Sequence, residues 1–494
     1  YIFIIYNNNI LFNKYKDKIM SIKEIVTYPL QDLLKILRNK TISVEELTET
    51  HINQIKKINS SLNAVVQESF DSAINTAKEM DQNYDKFKNL PLFGIPFTLK
   101  DSFDTKNIIS TWGTEGRKNH IPKENSTVAQ RLIDAGAILL GKTNTPEFTM
   151  GGETDNVVYG KTNNPYNIDL TPGGSSGGAA AIIAACGSVF DIGTDTGGSI
   201  RMPAHHCGIA GLKPTFGRVP RTGHAISFDA GPSDLLTSIG PLARFVDDLI
   251  PLINVISGFD NIDPTVLLND INNPDDVTLD KLNIGYYHST KSISSDTDTI
   301  KVIEDVCKIL DSKVNSIKEI NTEIINEGDT IAGNIANYDK RNYLKQLLER
   351  SNTKTPHKWT KARFNIAEEY ENKSAVDMSE LIQELNNYQS KSLSYFNDYD
   401  VLIAPVLHKS GFPHNEIMDA REDGWNYVTK GTFLRAYNVT GWPILTLRCG
   451  TSSEGYPIGL QIICSPTNDH VALKIGKVLE KELGGWIPPK DLIN

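Results

Sequence analysis

At 494 residues, 39% of them hydrophobic, the chain is long enough for one large domain or two to three ordinary ones, and its formal charge of -10 argues against a general polyanion binder, so no nucleic acid partner is expected. Five cysteines, Cys186, Cys207, Cys307, Cys449 and Cys464, are scattered and lack any C-x-x-C pairing, so neither a disulfide framework nor a zinc site is expected, and a reducing compartment, the cytoplasm, fits best. No apolar run approaches the ~18 residues that cross a bilayer, the richest being AAAIIAAC at 179–186.

The first nineteen residues, YIFIIYNNNILFNKYKDKI, draw on seven residue types and precede the first methionine, Met20. They read as an upstream translated extension outside the domain, which is expected over 20–494. An interfacial anchor is the rival reading, for which YIFIIY is short.

The run SVEELTETHINQIKKI (43–58) opens with a Ser-x-x-Glu capping box, Ser43 and Glu46, and sets Val44, Leu47, Ile55 and Ile58 at helical spacing. Helical and strand patterns alternate thereafter: TVAQRLIDAG into AILLG, GGAAAIIAACG into VFDI, and DTIKVIEDVCKIL between LNIGYY and DVLIAP. That alternation predicts an α/β protein. From about 290 to 400 the pattern turns mostly helical and polar, read as a variable helical insert within one domain. Strand-like ILTLRC and IGLQIIC precede a helix over 468–483 that ends at Gly484.

Two glycine-flanked serine clusters stand out. In GGSSGG both Ser175 and Ser176 satisfy G-x-S-x-G, the nucleophile elbow of α/β-hydrolases, a match that any Gly-rich segment produces cheaply. That reading also needs an acid and a histidine downstream, and none of the ten histidines has a distinctive context. A phosphate-cradling loop ranks lower, since neither G-x-x-x-x-G-K-[ST] nor G-x-G-x-x-G is present. The bland alternative makes the glycines turns and Ser176 a helix cap.

The second cluster, GTDTGGSIR, shifts the balance. After the strand VFDI, the backbone N–H groups of Gly197, Gly198 and Ser199 can converge on one concavity, as an oxyanion hole requires, with Ser199 at its rim. A serine needs a base, and a neutral lysine serves as well as a histidine. Lys100 follows the apolar run Phe97 to Leu99 in LPLFGIPFTLKDSFDT, although a surface lysine is the ordinary reading of one such residue.

Together the blocks PLFGIPFTLKDSFD, GKTNTPEF, TPGGSSGGAAA, DIGTDTGGSIRMPA, GLKPTFGRVP, NVTGWPILTL and YPIGLQII resemble the amidase signature family, framing most of 90–245 and 435–465. The resemblance implies a single large domain with a mixed central β-sheet surrounded by helices. It implies a Ser–cisSer–Lys triad in which Ser199 attacks, Ser175, after a cis peptide, relays the proton, and Lys100 is the base. It also implies oxyanion-hole amides at Thr196, Gly197, Gly198 and Ser199, support from Ser176, positioning roles for Asp195 and Arg201, and no metal or organic cofactor. Bringing a lysine from about 10.4 to about 7 takes roughly 4–5 kcal/mol of discrimination against the ammonium. Asp101, next along an extended segment, is expected to point away from it.

The expected activity is hydrolysis of a small aliphatic or aryl carboxylic acid amide to acid plus ammonia or amine through an acyl-enzyme. The alternatives are the glutamine-hydrolysing subunit of a tRNA-dependent amidotransferase, an esterase built on the G-x-S-x-G serine, and an idle scaffold. A homodimer is among the assemblies this reading allows. His205 and His206 depart from the family's usual small or aromatic residues and read as core histidines, with substrate contact by His206 as the rival. Cys186 and Cys207 read as buried structural cysteines.

Overall fold

The structure is a computed structural model that describes residues 22–267, 271–370, 373–419 and 433–490. The expected N-terminal extension at 1–19 lies outside the described residues. Among the described residues, eleven strands form one mixed sheet: β1 (Val65–Glu68), β2 (Pro96–Lys100), β3 (Ile138–Thr143), β4 (Phe190–Asp195), β5 (Ala210–Lys213), β6 (Ser238–Ala243), β7 (Asn283–Tyr286), β8 (Ser316–Glu319), β9 (Val401–Pro405), β10 (Ile444–Thr451) and β11 (Pro457–Cys464). Their order is β1-β3-β2-β4-β6-β5-β10-β11-β9-β7-β8.

The direction of the strands places the chemistry. β2 runs parallel to both β3 and β4, whereas β6 returns antiparallel to β4. Lys100, Thr143 and Asp195 are the last residues of three neighbouring parallel strands, and Lys100 stands opposite Thr143 in register. Ligand sites of α/β sheets gather at such carboxyl ends because the chain leaves the ladder there and its loops are free to shape a crevice.

Helix signals hold where they have a local cause. Ser43 Oγ accepts from the Glu46 amide at 3.0 Å while the Glu46 carboxylate accepts from the Ser43 amide at 2.7 Å, so the capping box is complete. The helix it starts, Val44–Leu62, buries Val44, Leu47, Ile55 and Ile58. The last helix, Asp469–Leu483, stops at Gly484, whose φ of 81° is left-handed and open to glycine without a Cβ clash. The helix Gly177–Ala184 is buried on every face, and its run of Gly and Ala lets it lie close against β4 and the helix Arg201–Cys207.

The 290–400 segment is mostly helical, as its pattern predicts, but it also supplies β8, a polar four-residue edge strand paired parallel to β7 in the main sheet. The segment is therefore tied into the one sheet. Its helices Glu323–Asn337 and Ala375–Ser392 share a core of Ile331, Ile335, Leu381, Leu385 and Tyr388 with Val439 and Leu236, which fixes a helical layer close to the end of β4.

Candidate active site

Lys100 is fully buried at the end of β2, with its amine in a cage of three hydroxyls: Ser175 Oγ at 2.7 Å, Thr194 Oγ1 at 2.9 Å and Ser176 Oγ at 3.0 Å. Burial pushes the Lys100 amine down to about 7, against the opposing charges of Asp191 and Asp195. An ammonium donates to all three hydroxyls, but a neutral amine has two N–H bonds and one lone pair, so one contact must reverse. The shortest, to Ser175, is positioned for its O–H to donate to nitrogen.

Asp191 holds the strands beneath this cage. Its carboxylate accepts from Thr98 Oγ1 at 2.7 Å, the Lys100 amide at 2.9 Å and Thr143 Oγ1 at 2.9 Å, linking β2, β3 and β4. Burial raises its carboxyl to about 6 in spite of those donors. Asp101 does point away from the amine: its carboxylate accepts from the Thr111 amide at 3.1 Å and from the Thr111 hydroxyl.

Ser176 occupies the N-cap position of Gly177–Ala184 without making a side-chain cap bond. Its hydroxyl instead faces Lys100 and accepts from the Thr194 amide at 3.4 Å, which is a supporting position and not a capping one. The elbow reading needs an imidazole beside this serine pair, and the geometry supplies an amine. The peptide between Gly174 and Ser175 is cis.

The loop after β4 is shaped by Asp195. Its carboxylate accepts from the amides of Gly198 at 2.8 Å and Ile200 at 3.1 Å, and takes a two-pronged ion pair from Arg201, Nε at 3.0 Å and Nη2 at 2.9 Å. Burial disfavours that charge, but Arg201 and Asn438 outweigh it and hold the carboxyl well below the usual range. Arg201 also donates to Asn438 Oδ1 at 2.6 Å, Gln461 Oε1 at 2.7 Å and the Leu434 carbonyl at 3.0 Å. Asp195 and Arg201 thus form the buried brace of the loop.

One expectation is corrected here. The Gly198 amide is committed to Asp195, and Gly198 does not line the cavity, whereas Thr196, Gly197 and Ser199 do. At Gly198 the φ of 112° and the closeness of the Leu434 side chain leave no room for a Cβ, so this glycine serves the turn. The cavity, about 90 Å³, is also lined by Gly174, the residue before Ser175. Lys100 and Ser175 are both fully buried, and of the two clusters Gly174 and Ser199 border the cavity.

His205 and His206 are buried in the helix Arg201–Cys207. His205 Nδ1 accepts from the Gly459 amide at 3.0 Å, and the His206 ring stands edge-on to Phe412 at 5.5 Å; neither lines the cavity. Burial raises the Cys186 thiol to about 11 and holds the Cys207 thiol well above its ordinary value, which suits structural cysteines. Among the described residues, no group of three or more His, Cys, Asp or Glu is placed to hold a metal ion, and no helix is long and apolar enough to cross a membrane.

Sequence reasoning missed Thr194, Asp191, Asn438 and three cavity-lining arginines, Arg341, Arg363 and Arg435. Asp191 was within reach, because a carboxylate between the apolar residues of a buried strand must find donors on its neighbours. Thr194 gives no such signal, since alternation sets it on the same strand face as Phe190 and Ile192. The arginines carry no spacing signal.

Comparison with known proteins adds three findings. A family model described as Amidase matches residues 46–473. A curated relative from Nostoc sp., one of the subunits of glutamyl-tRNA(Gln) amidotransferase, is 33% identical over 423 residues, covering 79% of this chain and 84% of its own length. Among solved structures, 6-aminohexanoate cyclic dimer hydrolase complexed with substrate superposes with a TM-score of 0.83 at 24% identity, over 95% of this chain and 100% of that one. A bacterial aryl acylamidase does so with a TM-score of 0.80 at 23% identity, over 92% and 96%.

Proposed function

Since the chain belongs to the amidase signature family and is an amide-hydrolysing enzyme, we propose that Ser199, Ser175 and Lys100 carry its reaction on a small carboxylic acid amide. The observation that carries this reading is the buried Lys100 amine, brought down to about 7 by burial and 2.7 Å from Ser175, whose neighbour Gly174 borders the same cavity as Ser199.

In this reaction Ser199 Oγ bonds to the substrate carbonyl carbon and passes its proton to Ser175 Oγ, whose own proton goes to Lys100 Nζ. The carbonyl π pair moves to oxygen, where the backbone amides of Thr196, Gly197 and Ser199, residues that border the cavity, receive it. As the tetrahedral centre collapses, the C–N bond breaks and the relay returns the proton to the leaving nitrogen, giving ammonia or an amine. Water then adds to the acyl ester by the same path, Ser199 leaves with a proton, and the acid is released. No step calls on a metal or organic cofactor.

The free cysteines support a reducing, cytoplasmic setting.

A second reading makes the chain the glutamine-hydrolysing component of a tRNA-dependent amidotransferase, favoured by the name of the Nostoc relative. Copurification with partner subunits together with glutaminase activity distinguishes it. The primary test is fluorophosphonate labelling with mass-spectrometric localisation. An adduct on Ser199, slowed in Lys100→Ala and Ser175→Ala, is the expected result. An adduct on Ser175 or Ser176 overturns the assignment of the nucleophile, and no adduct together with no turnover on a broad amide panel supports an idle scaffold.

A further inference from the structure

Residues 152–154 touch two parts of the molecule at once, and one buried carboxylate among them has no part in the reaction described above. Glu153 is 3% exposed. Its carboxylate accepts from the Asn415 amide at 2.8 Å through Oε2, and from the Ile417 and Met418 amides at 3.0 and 3.2 Å through Oε1. An ionised carboxylate offers acceptors only, so it suits backbone donors that converge from one turn, and a charge so deeply buried is stable only where such donors hold it. Asn415 takes a left-handed φ of 69° in that turn.

The other side of the same residue is backbone. A Cβ on Gly174 would meet the Glu153 carbonyl oxygen at 2.6 Å and its carbonyl carbon and amide nitrogen at 2.7 Å, so Gly174, the residue before Ser175, rests on the Glu153 backbone. Thr154 adds to the seat: its hydroxyl donates to the Gly173 carbonyl at 2.9 Å and accepts from the Gly177 amide at 3.1 Å, spanning the serine pair. Gly152 carries the contact to the cavity, which it lines with Gly174 and Ser199. Its amide donates to Met418 Sδ at 3.3 Å, and Ile417 and Met418 pack with Met202 and Leu434 in one buried cluster.

We propose that Glu153 is a positioning residue for the proton relay. By gripping the 415–418 amides it holds its own backbone under Gly174, and so sets the place of Ser175 Oγ relative to Lys100 Nζ. The proposal rests on the reading of Ser175 as the relay, and the test keeps the two apart.

Glu153→Gln keeps the size of the side chain but turns an NH2 donor toward amides that need acceptors. The measurement is the time course of fluorophosphonate labelling, with rate and endpoint read separately, beside kcat and KM on an uncharged amide. Displacement of a reacting group by about 1 Å costs about 10²-fold, so labelling of Ser199 in Glu153→Gln is expected to be at least about tenfold slower and yet to reach the endpoint of the unsubstituted enzyme. The loss is expected in kcat, with KM changed less than about threefold. A role in folding alone lowers the endpoint and leaves the rate of the folded molecules unchanged, and a role in the cavity wall alone raises KM and leaves kcat unchanged. Either result, or labelling at the unsubstituted rate, overturns the proposal. Should Glu153→Gln give no folded protein, Glu153→Asp decides by the same measurement, and failure of both to fold assigns Glu153 to stability and overturns the proposal. Labelling of Ser175→Ala as fast as the unsubstituted enzyme overturns the relay reading and this proposal with it, whereas slow Ser175→Ala beside fast Glu153→Gln overturns this proposal alone.

Discussion

Replacing Thr194 with valine tests the Lys100 cage most directly, because it removes one acceptor from the amine while nearly preserving shape. With Lys100 at about 7, burial being the main cause, the amine is half neutral at pH 7 and about one-tenth neutral at pH 6. Only the neutral amine accepts the relayed proton, so kcat/KM is expected to rise with pH through about 7 and level off above it. Thr194 Oγ1 lies 2.9 Å from Nζ and stabilises the ammonium more than the amine. A hydrogen bond to a charged donor is worth about 1.5–3 kcal/mol against about 0.5–1.5 for a neutral one, so Thr194→Val costs the ammonium about 1–1.5 kcal/mol more than the amine. At about 1.36 kcal/mol per pH unit, the inflection is expected to fall by about one unit. The assay is kcat/KM from pH 5 to 9 on an uncharged amide, each profile scaled to its own plateau. An inflection that stays in place or moves up would refute the argument that this hydroxyl serves the charged form.

Two further substitutions probe the parts that hold the site. At Gly174 an added Cβ would come within 2.7 Å of the backbone of Glu153, which has no side-chain freedom with which to yield, so Gly174→Ala is expected to displace Ser175. A misplacement of about 1 Å costs about 10²-fold, which single-turnover kinetics will read, with binding of a ground-state analogue changing much less. Arg201→Leu leaves the Asp195 carboxylate buried without its ion-pair partner, and a loss of about 3–5 kcal/mol in urea unfolding is expected, together with loss of activity.

The Lys100, Ser175 and Ser199 set came from the blocks that resemble the amidase signature family, since residue type alone left Lys100 an ordinary surface lysine; the structure buries it beside Ser175. The strands missed or blurred by pattern have equally physical causes: β8 reads SIKE, half exposed at the edge of the sheet, and so lacks a clean alternation. The Gly198 amide was misassigned because a side chain three positions back captures it, a local bond that residue type alone does not announce. The roles of Thr194 and Asp191 needed knowledge of which neighbour each strand would have, and the order β2-β4-β6 is not contiguous in the chain. Arg341, Arg363 and Arg435 were illegible since their meeting depends on how separate helices dock, and nothing in a polar helical stretch says which of its cations will face inward.

The brace around Asp195 also bears on when the protein becomes an enzyme during its synthesis. Arg201, which clamps the nucleophile loop, takes its outer partners from Asn438 and Gln461, positions that leave the ribosome 237 and 260 residues later. Until those arrive, the serine loop lacks its closing contacts, even though Lys100, Ser175 and Ser199 have all been translated. On the proposed mechanism, a nascent chain therefore carries Lys100, Ser175 and Ser199 through a further 260 residues of elongation before Arg201 can meet its last partner, and alignment of the serine loop is expected to await β11.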